Sequence, residues 1–519
     1  MGSAGRPDEL TADPELDLSP DGGNEMLPGM KRREFLRLAA IGTGAAWAGV
    51  KGRGAEVAAA PRRDTMVGLP ISVAPLATAA LDPMFDDMRR RGAVNALFPF
   101  IYTHEPHRSA AGAKNFHGGN HGIPHMQYYV GSPLTYDDMR APEFGDVDVL
   151  ARVIPVARQH GLRVFPFILE DNARPASIPH WEALYEVDHH GRRSEKHPGG
   201  PCYNNPLYQA FMLGLVEDYT RSYEIGGIMW GSERQSGLLD TLGLSQSDGV
   251  DPGRTTCFCE YCLAQGRADG IDADRARAGF GAIEKFVRAS RAGERPRDGY
   301  FTAVWRLLLE HPEALAWGNL WVKSRHAFQA SLYRRVKSIN PALPVGWHVW
   351  QNMTFSPFQR AEENFADMTS WSDFLRPALY PSVAGERFVR FVKGARDGVL
   401  GDLPPGAALD LLYQQLNYSG EAPLDQVAAA GLSAAYVEEE TRRAVAGVAG
   451  SATQIWPGLG FDIPGAPDAN KSTPESVARS VKAVFHGGAT GIILSRNYTE
   501  MKPENLSAAG AALRELGVA

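Results

Sequence analysis

Leu-Arg-Val-Phe-Pro-Phe-Ile-Leu occupies residues 162–169 and runs directly into Glu170, Asp171 and Asn172. A short β-branched and aromatic run that ends in polar residues and precedes a helical pattern marks a βα unit. The chain repeats this pattern in both directions. VNALFPFIY lies upstream at 94–102 and IGGIMW downstream at 225–230, with further runs at 66–73, 345–350, 374–380, 453–459 and 491–494. Helical spacing fills intervals at 82–91, 147–159, 208–223, 320–338, 436–448 and 474–485. Eight alternating units predict an α/β chain folded as a (β/α)8 TIM barrel over residues 61–519, with long loop insertions of which 232–343 is the longest. An open doubly wound sheet is the alternative. No Gly-x-Gly-x-x-Gly follows the first strands and no phosphate-loop motif occurs, so no organic cofactor is expected.

Composition narrows the partners. The 519 residues are 44% hydrophobic and 22% charged, the balance of a soluble globular protein with one sizeable core. The net charge of −7, from 53 basic and 60 acidic residues, argues against nucleic acid and favours a neutral small molecule or polymer.

In a barrel the chemistry lies on the loops after the strands, and here those loops are polar and aromatic. The candidates are His104 after strand two, Asp171 after strand three, Glu233 and Arg234 after strand four, and His348 and Trp350 on strand five. Tyr380 ends strand six, Asp462 follows strand seven, and Arg496, Tyr498 and Glu500 follow strand eight. Carboxylates, aromatic faces and arginine on one mouth suit a carbohydrate substrate, because rings pack on sugar C–H surfaces and charged groups bond hydroxyls. Each also has a plainer reading. Arg234 pairs with Glu233 next door, His348 is a satisfied core histidine, Asp462 caps a turn before Pro464, and Arg496 and Glu500 form a structural salt bridge. His107, His117, His121 and His125, among glycines after strand two, read as a lid, a surface loop or the ligands of a metal-dependent hydrolase. In the insertion, Trp305, Trp317 and Trp321 fit core packing, a subunit contact or a sugar platform.

All four cysteines fall in one sector, Cys202 and then Cys257, Cys259 and Cys262. A C-x-C-x-x-C cluster plus one distant cysteine matches a four-thiolate structural zinc site, with two disulfides as the alternative. At the other end, Lys31-Arg32-Arg33-Glu34-Phe35-Leu36-Arg37 precedes a small-residue apolar run at 38–50 and a cleavage-like Val57-Ala58-Ala59-Ala60. This resembles a twin-arginine export signal, with residues 1–60 as signal and leader. It implies handling by the twin-arginine translocase and a periplasmic or extracellular destination.

Glu233 at the end of strand four, with Cys202 before it and the cysteine cluster after it, resembles the clan of barrel glycoside hydrolases that includes the family 42 β-galactosidases. The blocks HHGRR from His189, CYNNPLY from Cys202, IGGIMWGSERQSG from Ile225, CFCEYC from Cys257 and LSRNYTEM from Leu494 are similar to exported glycosyl-hydrolase-like proteins. The resemblance implies that Glu233 is the general acid/base and that the cysteines bind structural zinc. It departs at strand seven, where the family carries a Glu nucleophile and this chain has Asp462. The expectation is therefore O-glycosidic cleavage by Glu233 as acid, its pKa raised by burial near Met229 and Trp230, with Asp462 as second carboxylate. Glu500 and Asp171 are the substitutes. A carboxylate separation of about 5–5.5 Å would mean retention and about 6.5–9.5 Å inversion. A barrel that binds carbohydrate without cleaving it is the reading from another class.

Overall fold

All eight apolar runs form strands in a computed structural model of the chain. The first, fourth, fifth, sixth and eighth are Met66–Ile71, Ile228–Ser232, Val345–Val349, Phe374–Leu379 and Gly491–Ser495. The other three are interrupted at or beside a proline, which has no N–H to give the ladder. Ala96–Pro99 continues as Tyr102–Thr103, Arg163–Val164 continues past Pro166 as Phe167–Glu170, and Gln454–Ile455 continues past Pro457 as Gly458–Gly460. The structure describes residues 65–103, 119–141, 143–170, 181–193, 200–246, 250–464 and 472–519, all within the unit Ala59–Ala519. His104, His107, His117, Asp171 and the twin-arginine segment lie outside the described residues.

The pairings between these strands are parallel. Gly68 is in register with Ala96, Ala96 with Arg163, Phe167 with Met229, Ile228 with Val345, and Gly346 with Phe374. Ala378 then pairs with Gly458, Gly458 with Ile493, and Gly491 back with Met66 on the first strand. The result is a curled parallel sheet surrounded by helices, consistent with a TIM-like barrel. Among the described strands, the two-residue strand Gly119–Asn120 pairs antiparallel beside Tyr102–Thr103.

Strand alternation divides the side chains between the inside of the curl and its helical jacket. Met66, Phe98, Phe165, Phe167, Met229, Phe374, Trp456 and Ile493, from the strands and the proline breaks within them, form a separate buried cluster. Its rings stack closely, Phe98 on Phe165 at 4.8 Å and Phe374 on Trp456 at 4.1 Å between centroids. Burying side chains of this size contributes about 1.5–3 kcal/mol each. Residues of the opposite parity face the helices: Trp230 meets Trp347 and Phe328, the latter on the helix Pro312–Ile339.

Several helices lie outside the intervals read from the sequence, among them Ala273–Arg291, Pro381–Arg396, Pro405–Leu416 and Pro503–Glu515. Three of these begin with proline at the first helical position, a start signal available in the sequence. No helix among the described residues is long and apolar enough to cross a membrane.

Candidate active site at the strand ends

Met229 and Glu233 are four residues apart on the fourth strand and its extension, so they share the inward parity that Trp230 and Ser232 lack. Above the aromatic cluster the inward positions become polar. His348, Arg376 and Ser495 come from the fifth, sixth and eighth strands and are all buried. Two glycines make room for this layer. A Cβ on Gly231 would sit 2.8 Å from the His348 Cβ, and one on Gly458 would sit 2.4 Å from the Arg376 guanidinium carbon.

A donor chain runs through the layer. Arg376 Nη1 donates to His348 Nδ1, and His348 Nε2 lies 3.3 Å from Glu233 Oε1. Arginine has no acceptor, so Nδ1 must accept and the proton must sit on Nε2, which donates to Glu233. Arg376 Nη2 also donates to the Tyr380 hydroxyl at 2.9 Å and to Ser495 Oγ. Burial, followed by the Arg376 charge, lowers the pKa of His348, which keeps the ring neutral. Burial alone would push the Glu233 carboxyl up, but the His348 bond and the charges of Arg387 and Arg376 outweigh it and hold the carboxyl below its usual range. This reverses the sequence expectation of a raised pKa. Met229 and Trp230 adjoin Glu233 in sequence, yet its spatial neighbours are cations. Its side chain is recessed but 43% exposed.

Around this carboxylate stand Tyr380, Arg387 and Arg496. Arg376 and Arg387 lie 5.8 and 5.7 Å from the Tyr380 ring centroid. Arg387, on the helix Pro381–Arg396, donates to Gln351 Oε1, and Gln351 is fully buried. Arg496 grips both oxygens of Glu500, at 2.9 and 2.6 Å, while its charge also acts on Tyr380 and Glu233. Sequence reasoning missed Arg376 and Arg387. Arg376 was legible as the inward partner of Phe374, but Arg387 is brought to the mouth only by the turn at Pro381.

Four candidates take other positions. Asp462 is 8% exposed; its carboxylate accepts from the Lys502 backbone N–H at 2.9 Å and from the Asn505 amide at 2.8 and 3.0 Å. It therefore anchors the start of the helix Pro503–Glu515 and not the turn before Pro464, and as a candidate second carboxylate it is already engaged. Arg234 is 5% exposed and turned toward the jacket, bound to Glu186 at 2.6 Å, to Glu170 at 3.3 Å and to the Pro201 carbonyl. The alternation predicts this, since Glu170 and Ser232 are register partners on the outward parity and Glu170 also accepts from Tyr203 and Tyr208. Tyr498 donates to Asp87 on the helix Leu81–Gly92, pinning the last loop away from Glu233. Trp350 is almost covered, and its indole N–H has no hydrogen-bond partner among the described residues. The described loop histidines are also engaged, His125 with Asp218 at 2.7 Å and His121 with Glu143 at 3.6 Å.

The cysteines do converge. All four are buried and unbridged, with their sulfurs within 4.8 Å of one another; Cys202 Sγ lies 3.5 Å from Cys259 Sγ and 3.4 Å from Cys262 Sγ. A tetrahedral ion with bonds of about 2.3 Å holds its sulfurs about 3.8 Å apart, close to this spacing and far from the about 2.05 Å of a disulfide. Four sulfur donors of this kind fit zinc. Asn204 donates to Cys262 Sγ, Asn205 caps the helix Pro206–Ser222, and the Trp317 indole donates to the Cys257 carbonyl. Trp321 binds Glu186, so both tryptophans brace this sector, whereas Trp305 is exposed beside Phe301 and Leu309.

No protein-family model matches the sequence, and no curated protein matches it. Among solved structures, the chain is similar to α-L-fucosidase isoenzyme 2 from Paenibacillus thiaminolyticus, at 15% identity and TM-score 0.46, over 87% of this chain and 49% of that one. It is also similar to the PgaB (BpsB) glycoside hydrolase domain from Bordetella bronchiseptica, at 12% identity and TM-score 0.46, over 88% and 99%. A β-galactosidase from Halorubrum lacusprofundi is similar at 13% identity and TM-score 0.47, over 87% and 58%. The chain thus spans about half of the fucosidase and somewhat more of the galactosidase.

Proposed function

We propose that the protein is an exported glycoside hydrolase in which Glu233 works as the ionised carboxylate at the mouth of a closed eight-stranded barrel. The observation that carries this is the Arg376–His348–Glu233 donor chain, which holds a recessed, half-exposed carboxylate as an anion beside Tyr380. An anion of this kind attacks an anomeric carbon or takes a proton from water. It is poorly suited to donate a proton near neutrality, so the general-acid role passes to another group. Asp171, the residue after Glu170, is the candidate for that role. As the glycosidic C–O bond breaks, the Asp171 proton goes to the leaving oxygen and the anomeric carbon bonds to Glu233 or to water. The pairing of the eighth strand with the first supports barrel closure, and Lys31–Arg37 supports export. The four cysteines are assigned to a structural zinc ion, which leaves no open position for chemistry.

The test is hydrolysis of a panel of aryl glycosides by wild type, Glu233→Gln and Asp171→Asn. Glu233→Gln should lose activity on every substrate. Asp171→Asn should lose it on poor leaving groups and keep much of it on dinitrophenyl glycosides, which need no proton. Hydrolysis that survives Glu233→Gln overturns the proposal. A non-catalytic sugar-binding barrel is the second reading. It is favoured by the engagement of Asp462 and Glu500 with Asn505 and Arg496, and it expects binding without turnover.

A further inference from the structure

Three arginines surround Glu233, and two of them make several hydrogen bonds through their guanidinium groups. Arg376 is buried and bonds His348, Tyr380 and Ser495, while Arg496 is held by Glu500. Arg387 differs. Its only hydrogen bond is from Nη1 to Gln351 Oε1, a neutral amide, and no carboxylate lies within ion-pair distance of it among the described residues. The Nε–Nη2 edge of its guanidinium makes no hydrogen bond within the described protein. One face of the group lies toward the Tyr380 ring, and the buried Gln351 holds it in place, itself bonded to the Tyr380 carbonyl and the Tyr436 hydroxyl. Burial lowers the pKa of Arg387 and the Glu233 charge opposes this, so the cation is partly dehydrated with no carboxylate bonded to it among the described residues.

A fixed guanidinium with one open two-donor edge is the geometry that receives a carboxylate or sulfate oxygen pair. Resting on the glycosidase reading above, we infer that the substrate is an anionic saccharide, a uronate or a sulfate ester, whose charged group docks on the Nε–Nη2 edge of Arg387. Arg496 adds long-range attraction from across the mouth, and Tyr380 supplies the apolar surface beside the sugar. The Arg387 cation offsets the repulsion that the Glu233 anion would exert on the bound group. Glu233 then needs no proton to admit a charged substrate.

The experiment compares kcat/KM for 4-nitrophenyl glucuronide and galacturonide, the matching glucoside and galactoside, and their 6-sulfates, with wild type, Arg387→Lys and Arg387→Met. Wild type should prefer an anionic member of a matched pair by roughly 10- to 100-fold, the worth of charge-assisted hydrogen bonds. Arg387→Met should bring that ratio to near one, and Arg387→Lys should leave it between, having charge but no planar fork. Whether uronate or sulfate gains identifies the anion, and either supports the inference. A preference for neutral sugars, or a ratio unmoved in Arg387→Met at unchanged Tm, overturns it. Calorimetric titration with glucuronate, glucose and glucose 6-sulfate separates the two proposals. Anion-selective binding lost in Arg387→Met, without hydrolysis of any glycoside, refutes the glycosidase reading and keeps the anion site. Absence of anion-selective binding, with or without hydrolysis, refutes the site.

Discussion

Replacing His348 with alanine removes a neutral donor that the structure aims at Glu233, and the resulting shift in the pH profile reports which protonation state of Glu233 works. A hydrogen bond to a charged group is worth about 1.5–3 kcal/mol. Here the bond is long, at 3.3 Å, and the carboxylate is 43% exposed, so water replaces part of what is lost. About 1 kcal/mol remains, which is roughly 0.7 of a pKa unit at 1.36 kcal/mol per unit. The sign follows from the cause: the bond favours the anion and lowers the Glu233 pKa, so its loss raises it. If Glu233 acts ionised, the acidic limb of kcat/KM should move up by about 0.5–1 pH unit while the alkaline limb stays. His348→Gln, whose amide accepts from Arg376 and donates to Glu233, should restore the limb. The assay is kcat/KM from pH 3 to 9 on the best aryl glycoside, with a 13C titration of the Glu233 carboxyl as a check independent of turnover. Movement of the alkaline limb would mean that Glu233 donates a proton. An unmoved carboxyl titration would refute the donor chain itself.

Other outcomes follow from the same contacts. Asp462→Asn should lower stability by about 1–2 kcal/mol in urea melts, since it weakens the bonds to Lys502 and Asn505, and should change kcat less than threefold. Mass spectrometry of the native protein should find one zinc per chain. Chelation should lower Tm by several degrees and expose four thiols to reagent, and Cys202→Ser should lower it likewise with three thiols exposed. Asp240, whose carboxyl burial pushes up to about 7, should be uncomfortable when ionised. Because its folded pKa is raised, its favourable contribution is full below about pH 4 and gone above pH 7. Asp240→Asn should therefore raise Tm at pH 8, raise it less at pH 5 and leave it nearly unchanged at pH 3.5; a gain that does not grow with pH would contradict the assignment.

Much of the architecture was written locally. The runs at 162–169 and 225–230 became adjacent parallel strands because their β-branched and aromatic composition suits a sheet covered on both faces. Proline marked both where the second, third and seventh strands break and where several helices begin. Parity along those strands was legible too, and read strictly it places Arg234 toward the jacket and Glu233 toward the mouth. Three cysteines at C-x-C-x-x-C spacing plus one distant partner could be grouped before any coordinates.

The sequence by itself determined the order of strands and helices, the polarity of the strand ends and the thiol cluster, since each depends on neighbours a few residues apart. Tertiary structure alone decided the direction in which the Glu233 pKa moves, because that depends on the His348 hydrogen bond and on cations drawn from positions 387 and 376. It also decided the fate of Asp462, whose partners at 502 and 505 arrive from the last helix. Electrostatic effects act through space, and the distance between two side chains across a curled sheet is not encoded in their separation along the chain.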